Sequence, residues 1–288
     1  MESTQSATRI PAARRLSDRP ALRNTVMIAG FAVVMIATGA IASFVNNPIA
    51  ALVIGPLLGA AVLWLYRLST RALENRDPIE LAAPSARRHL LTGVGVGALL
   101  SAVTIGLVAL AGGYQITGWG SLAGALTVAG MMAVVAVAEE VLFRGVILRL
   151  IQQRGGTWLA LATSAALFGL VHLLNPGATL WGAVAITVEA GVMLGAAYVA
   201  TGSLWLAIGL HFGWNVTTVA VFGTVTSGSE VQGSLVSATT SGPDWLSGGA
   251  FGPEASIFAI IVCSIVSIVL LRIARHRGRI VRPSMLTR

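Results

Sequence analysis

The sequence predicts an all-α, polytopic membrane protein with eight transmembrane helices and both termini in the cytoplasm. Three observations carry this. Of 288 residues, 55% are hydrophobic and only 10% charged, with a mean hydropathy of +0.81, a balance that soluble domains of this size do not show. Apolar runs long enough to cross a hydrocarbon core of ~30 Å recur along the whole chain. The basic residues, 19 arginines and no lysine, sit in blocks that all fall on one side once eight crossings are drawn. The formal charge of +8 would suggest nucleic acid in a soluble chain. Here the arginines flank apolar runs, so they read as membrane-surface anchors obeying the positive-inside rule. No nucleic-acid partner is expected.

Residues 1–25 carry five arginines among prolines and serines and read as a disordered basic tail. The membrane domain is expected over residues 26–272, followed by a second basic tail over 273–288. Within it the spans are read at Val26–Val45, Ile49–Tyr66, Leu90–Ala111, Leu126–Ile147, Trp158–Leu174, Leu180–Ala200, Ser203–Phe222 and Ala255–Leu271. The first is too long for a cleaved signal and reads as an anchor. Asn46-Asn47-Pro48 and Asn175-Pro176-Gly177 mark turns. Gly93, Gly95 and Gly97 follow no strand, so close helix packing is the reading rather than a nucleotide loop, and Gly191 and Gly195 form a second small-residue face. An uncharged link covers 112–120, and a Ser/Gly/Thr-rich stretch, 223–254, reads as a linker or a lid. Cys263, the one cysteine, reads as a small core residue. The lysine-free, Ala/Gly/Val-rich composition suggests a bacterial source and a multi-pass protein of the cell membrane.

Against this background the stretch Ala138-Glu139-Glu140-Val141-Leu142-Phe143-Arg144-Gly145 stands out. An ionisable side chain at the centre of a membrane helix costs at least ~2.5–3.5 kcal/mol, so three within six residues must neutralise one another or do chemistry. Glu140 and Arg144 are four apart in the favourable acid-first order and form an ion pair. Glu139, rotated by about 100°, has no basic partner on its face and is the spare carboxylate, a natural proton carrier. Four further polar residues fall inside spans: His172, Glu189, His211 and Asn215. Phe168 lies one turn behind His172, and His211 and Asn215 share a face. A lone intramembrane histidine is ordinarily a hydrogen-bonded packing residue. Two of them, with an unpaired glutamate and a cofacial asparagine on three helices, point to a site. Counted at 1.5 Å per residue, Glu139 and His211 lie ~12 Å from the arginine-rich surface and His172 ~20 Å. Arg149 and Arg154 read as interfacial anchors, and Trp158, Trp205 and Trp214 as belt residues or pocket walls.

The order Glu-Glu-x-x-x-Arg, Phe-x-x-x-His, His-x-x-x-Asn, spread over residues 133–219, resembles the CAAX protease and bacteriocin-processing (CPBP) family of intramembrane endopeptidases, which includes the type II CAAX prenyl proteases. The resemblance implies an eight-helix fold and a catalytic role for Glu139, His172, His211 and Asn215, with Glu140, Arg144 and Phe168 supporting them. It implies hydrolysis of a peptide bond in a membrane-associated peptide or protein by an activated water. Glu139 and His172 would activate the water, and His211 and Asn215 would stabilise the oxyanion. No cofactor is favoured; a zinc ion, if bound, would take Glu139, His172 and His211 as ligands. Glu189 lies outside the motifs and is expected to hydrogen-bond behind the site, with a motif histidine as one candidate partner, or to touch substrate. Three other classes are alternatives: a proton- or ion-coupled transporter, although the sequence shows none of the paired helix interruptions such folds use; a bis-histidine haem or quinone protein, which leaves Glu139 unexplained; and a non-catalytic immunity or scaffold relative.

Overall fold

The computed structural model describes residues 18–229 and 233–284. The expectations for residues 1–17 and 285–288 of the two tails lie outside the described residues. Helix α1 (Pro20–Ser43) starts on a proline, whose fixed φ suits the first helical position. Residues 20–25, expected in a disordered tail, are therefore helical. Asn47 caps α2 (Pro48–Glu74) by accepting from the Ala50 amide. Helix α3 (Ala83–Leu110) follows a short loop. Helix α4 (Leu122–Glu140) continues through a π-helical stretch, Val141–Leu148, into α5 (Arg149–Val171). Then come α6 (Leu180–Ile186), a second π stretch (Thr187–Val192) and α7 (Met193–Thr201). Helix α8 (Leu204–Asn215) ends in a third π stretch, Val216–Val221; the short α9 (Asp244–Ser247) and the long α10 (Ile257–His276) complete the chain.

Among the described residues, seven helices are long and apolar enough to cross a membrane. The 53-residue helix Leu122–Leu174 is among them, and it doubles back on itself. Gly156, at φ 76° and ψ 174°, breaks it, and beyond the break Ser164 Oγ donates to the Phe143 carbonyl at 2.9 Å. Two expectations are corrected here. The fourth run does not end at Ile147 but stays helical to the break, because Leu148, Leu150 and even Arg149 are buried against neighbours. The depth estimates shift accordingly. Glu139 precedes Gly155 by 16 residues and His172 follows Gly156 by 16, so both stand ~24 Å from the bend along their arms. The apparent mismatch between them came from a misplaced helix end.

The structure is nearly all helical, with one addition. The uncharged link and the Ser/Gly/Thr-rich stretch pair as an antiparallel ribbon, β1 (Tyr114–Trp119) with β2 (Val236–Thr240). Tyr114 Oη donates to the Phe222 carbonyl at 2.8 Å and the Leu235 amide to Ala220 O at 2.8 Å, tying the ribbon to the end of α8. The stretch is therefore structured over its described part rather than a loose linker.

Helix α8 sits against α3 through interlocking glycines. A Cβ at Gly97 would lie 2.2 Å from Leu210 O, and one at Gly213 would lie 2.2 Å from Val94 O. Gly93 and Gly209 face equally close backbone, whereas Gly95 meets nothing within 4 Å. Two of the three predicted packing glycines thus make the contact. Gly191 and Gly195 pack on Ala165 and Leu161 of α5, as expected. Gly97→Val is expected to destabilise by ~1–3 kcal/mol through overpacking, and Gly95→Ala to leave stability unchanged or raised, as read by thermal unfolding of detergent-purified protein. Equal effects from the two would refute the contact.

Two arginines meet two glutamates around the loop between α2 and α3. There Arg149 pairs with Glu74 at 2.6 Å, Arg76 with Glu74 at 2.7 Å and with Glu80 at 2.8 Å, and the Tyr66 hydroxyl sits within hydrogen-bond reach of both Glu80 and the Gly145 carbonyl. Burial pulls the Glu80 carboxyl upward, but hydrogen bonds from Arg76 and Tyr66 overcome this and hold it below its ordinary value. A carboxyl depressed by folding contributes stability above its unfolded pKa, and that stability is lost as pH falls through the folded value. Thermal midpoints should therefore drop on acidification below the ordinary glutamate range, and the drop should shrink in Glu80→Gln.

Candidate active site

Three helix ends with widened turns build the site. Glu139 and Glu140 close α4 directly before Val141–Leu148, Glu189 lies inside Thr187–Val192, and Asn215 closes α8 directly before Val216–Val221. A π turn leaves carbonyls without their ordinary helical partner, and these recur at functional positions. Here the carbonyls of each stretch accept from outside. Phe143 O takes Ser164, Gly145 O takes Tyr66 and Arg149, Ala190 O and Gly191 O take Arg144, and Thr218 O takes Thr224. The backbone distortion and its satisfying donors form one construction.

Arg144 is wholly buried. Nη1 donates to Glu140 Oε1 at 2.8 Å, Nη2 donates to the two α6–α7 carbonyls at 3.1 Å each, and the guanidinium lies 4.6 Å above the Phe168 ring. The predicted Glu140–Arg144 pair is present, yet Glu140 does more than pair. His211 Nδ1 lies 3.0 Å from the same Oε1, so Glu140 also orients an imidazole, which helical spacing could not show because 71 residues separate the two. Glu139 turns the other way. Its carboxylate lines a cavity of about 670 Å³ and Oε2 approaches His211 Nε2 at 3.9 Å. His211 is thus flanked by both carboxylates of the pair.

His172, at the end of α5, places Nδ1 2.6 Å from Phe168 O. A carbonyl only accepts, so Nδ1 carries the proton and Nε2 is left as the basic nitrogen. By the same logic an ionised Glu140 accepts a hydrogen bond from His211 Nδ1–H, which directs Nε2 toward Glu139. Phe168 supports both rings, at centroid distances of 4.7 Å from His172 and 6.2 Å from His211. Asn215 lines the cavity, and its amide has a weak contact with Met132 Sδ at 3.7 Å. The cavity thus gathers Glu139, His172, His211 and Asn215 from three helices. Its apolar lining includes Val128, Met131, Met132 and Val135, on the same stripe of α4 as Glu139, and Ala42 of α1.

Glu189 is buried but meets neither motif histidine through a hydrogen bond. Its partner is Cys263, whose Sγ donates to Oε1 at 3.6 Å, while Oε2 has none. Cys263 is a core residue as expected, with that added contact. Trp214 is buried and donates its Nε1–H to Glu254 at 3.0 Å, so it packs inside the protein rather than in a membrane belt; Trp158 is exposed. Sequence reading missed Glu254 because it sits in a polar-looking stretch without a motif. Among the described residues no three His, Cys, Asp or Glu side chains are grouped closely enough to hold a metal ion. Glu139, His172 and His211, the set expected for zinc, are not brought together as such a group in this arrangement.

Long apolar helices that bury a carboxylate–imidazole cluster beside a cavity define a multi-pass membrane protein with a candidate catalytic site. Residues 121–217, about a third of the chain, match the family model described as type II CAAX prenyl endopeptidase, Rce1-like. That match supports the CPBP family of CAAX-type intramembrane proteases, and it spans every predicted site residue. No match emerged from comparison with curated proteins or with solved structures.

Proposed function

We propose that the protein is an intramembrane endopeptidase that cleaves a membrane-associated peptide or protein with a water activated by Glu139. The observation that supports this is the convergence on one cavity of a carboxylate without an arginine partner, two imidazoles held through Nδ1 so that Nε2 is free for chemistry, and an amide. In this mechanism Glu139, assisted by His172, takes a proton from water as its oxygen attacks the scissile carbonyl carbon. The tetrahedral oxyanion accepts hydrogen bonds from the Asn215 amide and from His211, which donates through Nε2 in its imidazolium form with Glu140 as counterion. As the C–N bond breaks, the proton held by Glu139 passes to the leaving amine. The apolar α4 stripe would take the lipid-facing part of the substrate.

In the same reading the doubled-back helix Leu122–Leu174 counts as two crossings, giving eight, with the arginine-rich side in the cytoplasm. No metal takes part. The test is cleavage of fluorogenic apolar peptides by nanodisc-embedded protein, with metal analysis alongside. Turnover is expected in the parent, unchanged by a chelator. Equal turnover in parent and Glu139→Gln would overturn the assignment, and loss on chelation would overturn the metal-free mechanism.

A further inference from the structure

Glu254 lies outside the matched family segment and takes no part in the chemistry above, yet it is one of the most heavily hydrogen-bonded side chains in the molecule. It is buried just before α10. Oε1 accepts from Trp214 Nε1 at 3.0 Å and Thr226 Oγ1 at 2.7 Å. Oε2 accepts from the Ser227 amide at 2.6 Å and Ser227 Oγ at 2.7 Å. Trp214 stands between His211 and Asn215 on α8, and Thr226, Ser227 and Ser229 line the large cavity. The same short segment is tied to the turn beyond His172, because Asn175 Nδ2 donates to Ser227 O at 2.7 Å and the Gly177 amide to Gly228 O at 2.8 Å.

We propose that Glu254 is a positioning residue that fixes the 226–229 wall to the helix carrying His211 and Asn215, and so sets how tightly the cavity grips a peptide chain. The gripping role rests on the hydrolase reading; the fixing of the wall does not. The chemistry demands a carboxylate. Four donors converge on two oxygens, and hydrogen bonds to a charged acceptor are the strong ones. A glutamine of the same volume has one acceptor oxygen, so its amide would face either the Ser227 N–H or the Trp214 N–H, donor to donor. Neither N–H can turn into an acceptor, so in either orientation one tie between the wall and α8 is lost.

The experiment has two arms. In the first, Ser229→Cys is placed in a Cys263→Ser background, which removes the buried native thiol while keeping a donor for Glu189. Labelling by a water-soluble maleimide is timed with and without Glu254→Gln. Acceleration of about tenfold is expected from losing bonds to a charged acceptor, with a smaller acceleration from Thr226→Val, which removes one donor at constant shape and carries the test if Glu254→Gln does not fold. In the second arm, fluorogenic apolar peptides should show KM raised by about tenfold in Glu254→Gln with kcat changed much less. Labelling rates equal to the parent in folded variants would overturn the proposal, as would a kcat loss with KM unchanged. Faster labelling with no cleavage by any form, parent included, would uphold the fixing of the wall and sink the hydrolase reading instead.

Discussion

Glu139→Gln is expected to abolish hydrolysis while leaving the fold intact. A positioned general base contributes about 10²–10⁴-fold, so turnover should fall by at least that much under conditions where the parent cleaves. The fold should survive because Glu139 makes no close ion pair; its nearest basic contact is His211 Nε2 at 3.9 Å, and its side chain is 17% exposed to the cavity. Unfolding midpoints of parent and variant should agree within a few degrees. A variant that is inactive because it fails to fold would show the spare carboxylate to be structural, which is the reverse of the assignment.

Arg144→Met should produce the largest loss of stability. Glu140 would be left buried without its cation, and truncating one member of such a pair costs about 3–5 kcal/mol. The Ala190 and Gly191 carbonyls of the second π stretch would lose their donor as well. Adding Glu140→Gln should restore part of the stability, because no buried charge then remains. It should not restore turnover, since His211 would no longer have a carboxylate on Nδ1. Unfolding midpoints and cleavage rates of the single and double variants test both halves. If the double variant is no more stable than Arg144→Met, the loss lies in the carbonyl contacts rather than in the charge.

The parts of this site that the sequence disclosed are those governed by local geometry. Charges inside an apolar run cannot be hidden, and four-residue spacing paired Glu140 with Arg144 and set His211 beside Asn215 on one face. What stayed hidden depends on the third dimension. Glu140 reaches His211 across 71 residues. Glu254 looks like any acid in a Ser/Gly-rich stretch until four donors close around it. The first two π stretches have no compositional signature, because donors that satisfy them, Ser164, Tyr66 and Arg144, are brought in from distant segments. The fourth span was misjudged for a related reason. Arg149 and Arg154 look like a membrane exit, but Arg149 is bonded to Glu74 and Gly145 O, so the helix carries it onward. The β1–β2 ribbon was missed because neither strand alternates cleanly between apolar and polar residues.

The widened turns also determine how this protein tolerates changes of length. Each holds an extra residue relative to an ordinary helical repeat, so removing one residue from Val141–Leu148 would let the hydrogen-bond ladder close in its regular phase. The arms on either side would keep their phase, because the widened turn absorbs its extra residue locally, but Phe143 O and Gly145 O would be drawn back into the ladder and Ser164 and Tyr66 would lose their acceptors. A one-residue deletion here would thus leave the two carboxylates facing His211 while cutting ties that join separate helices around them.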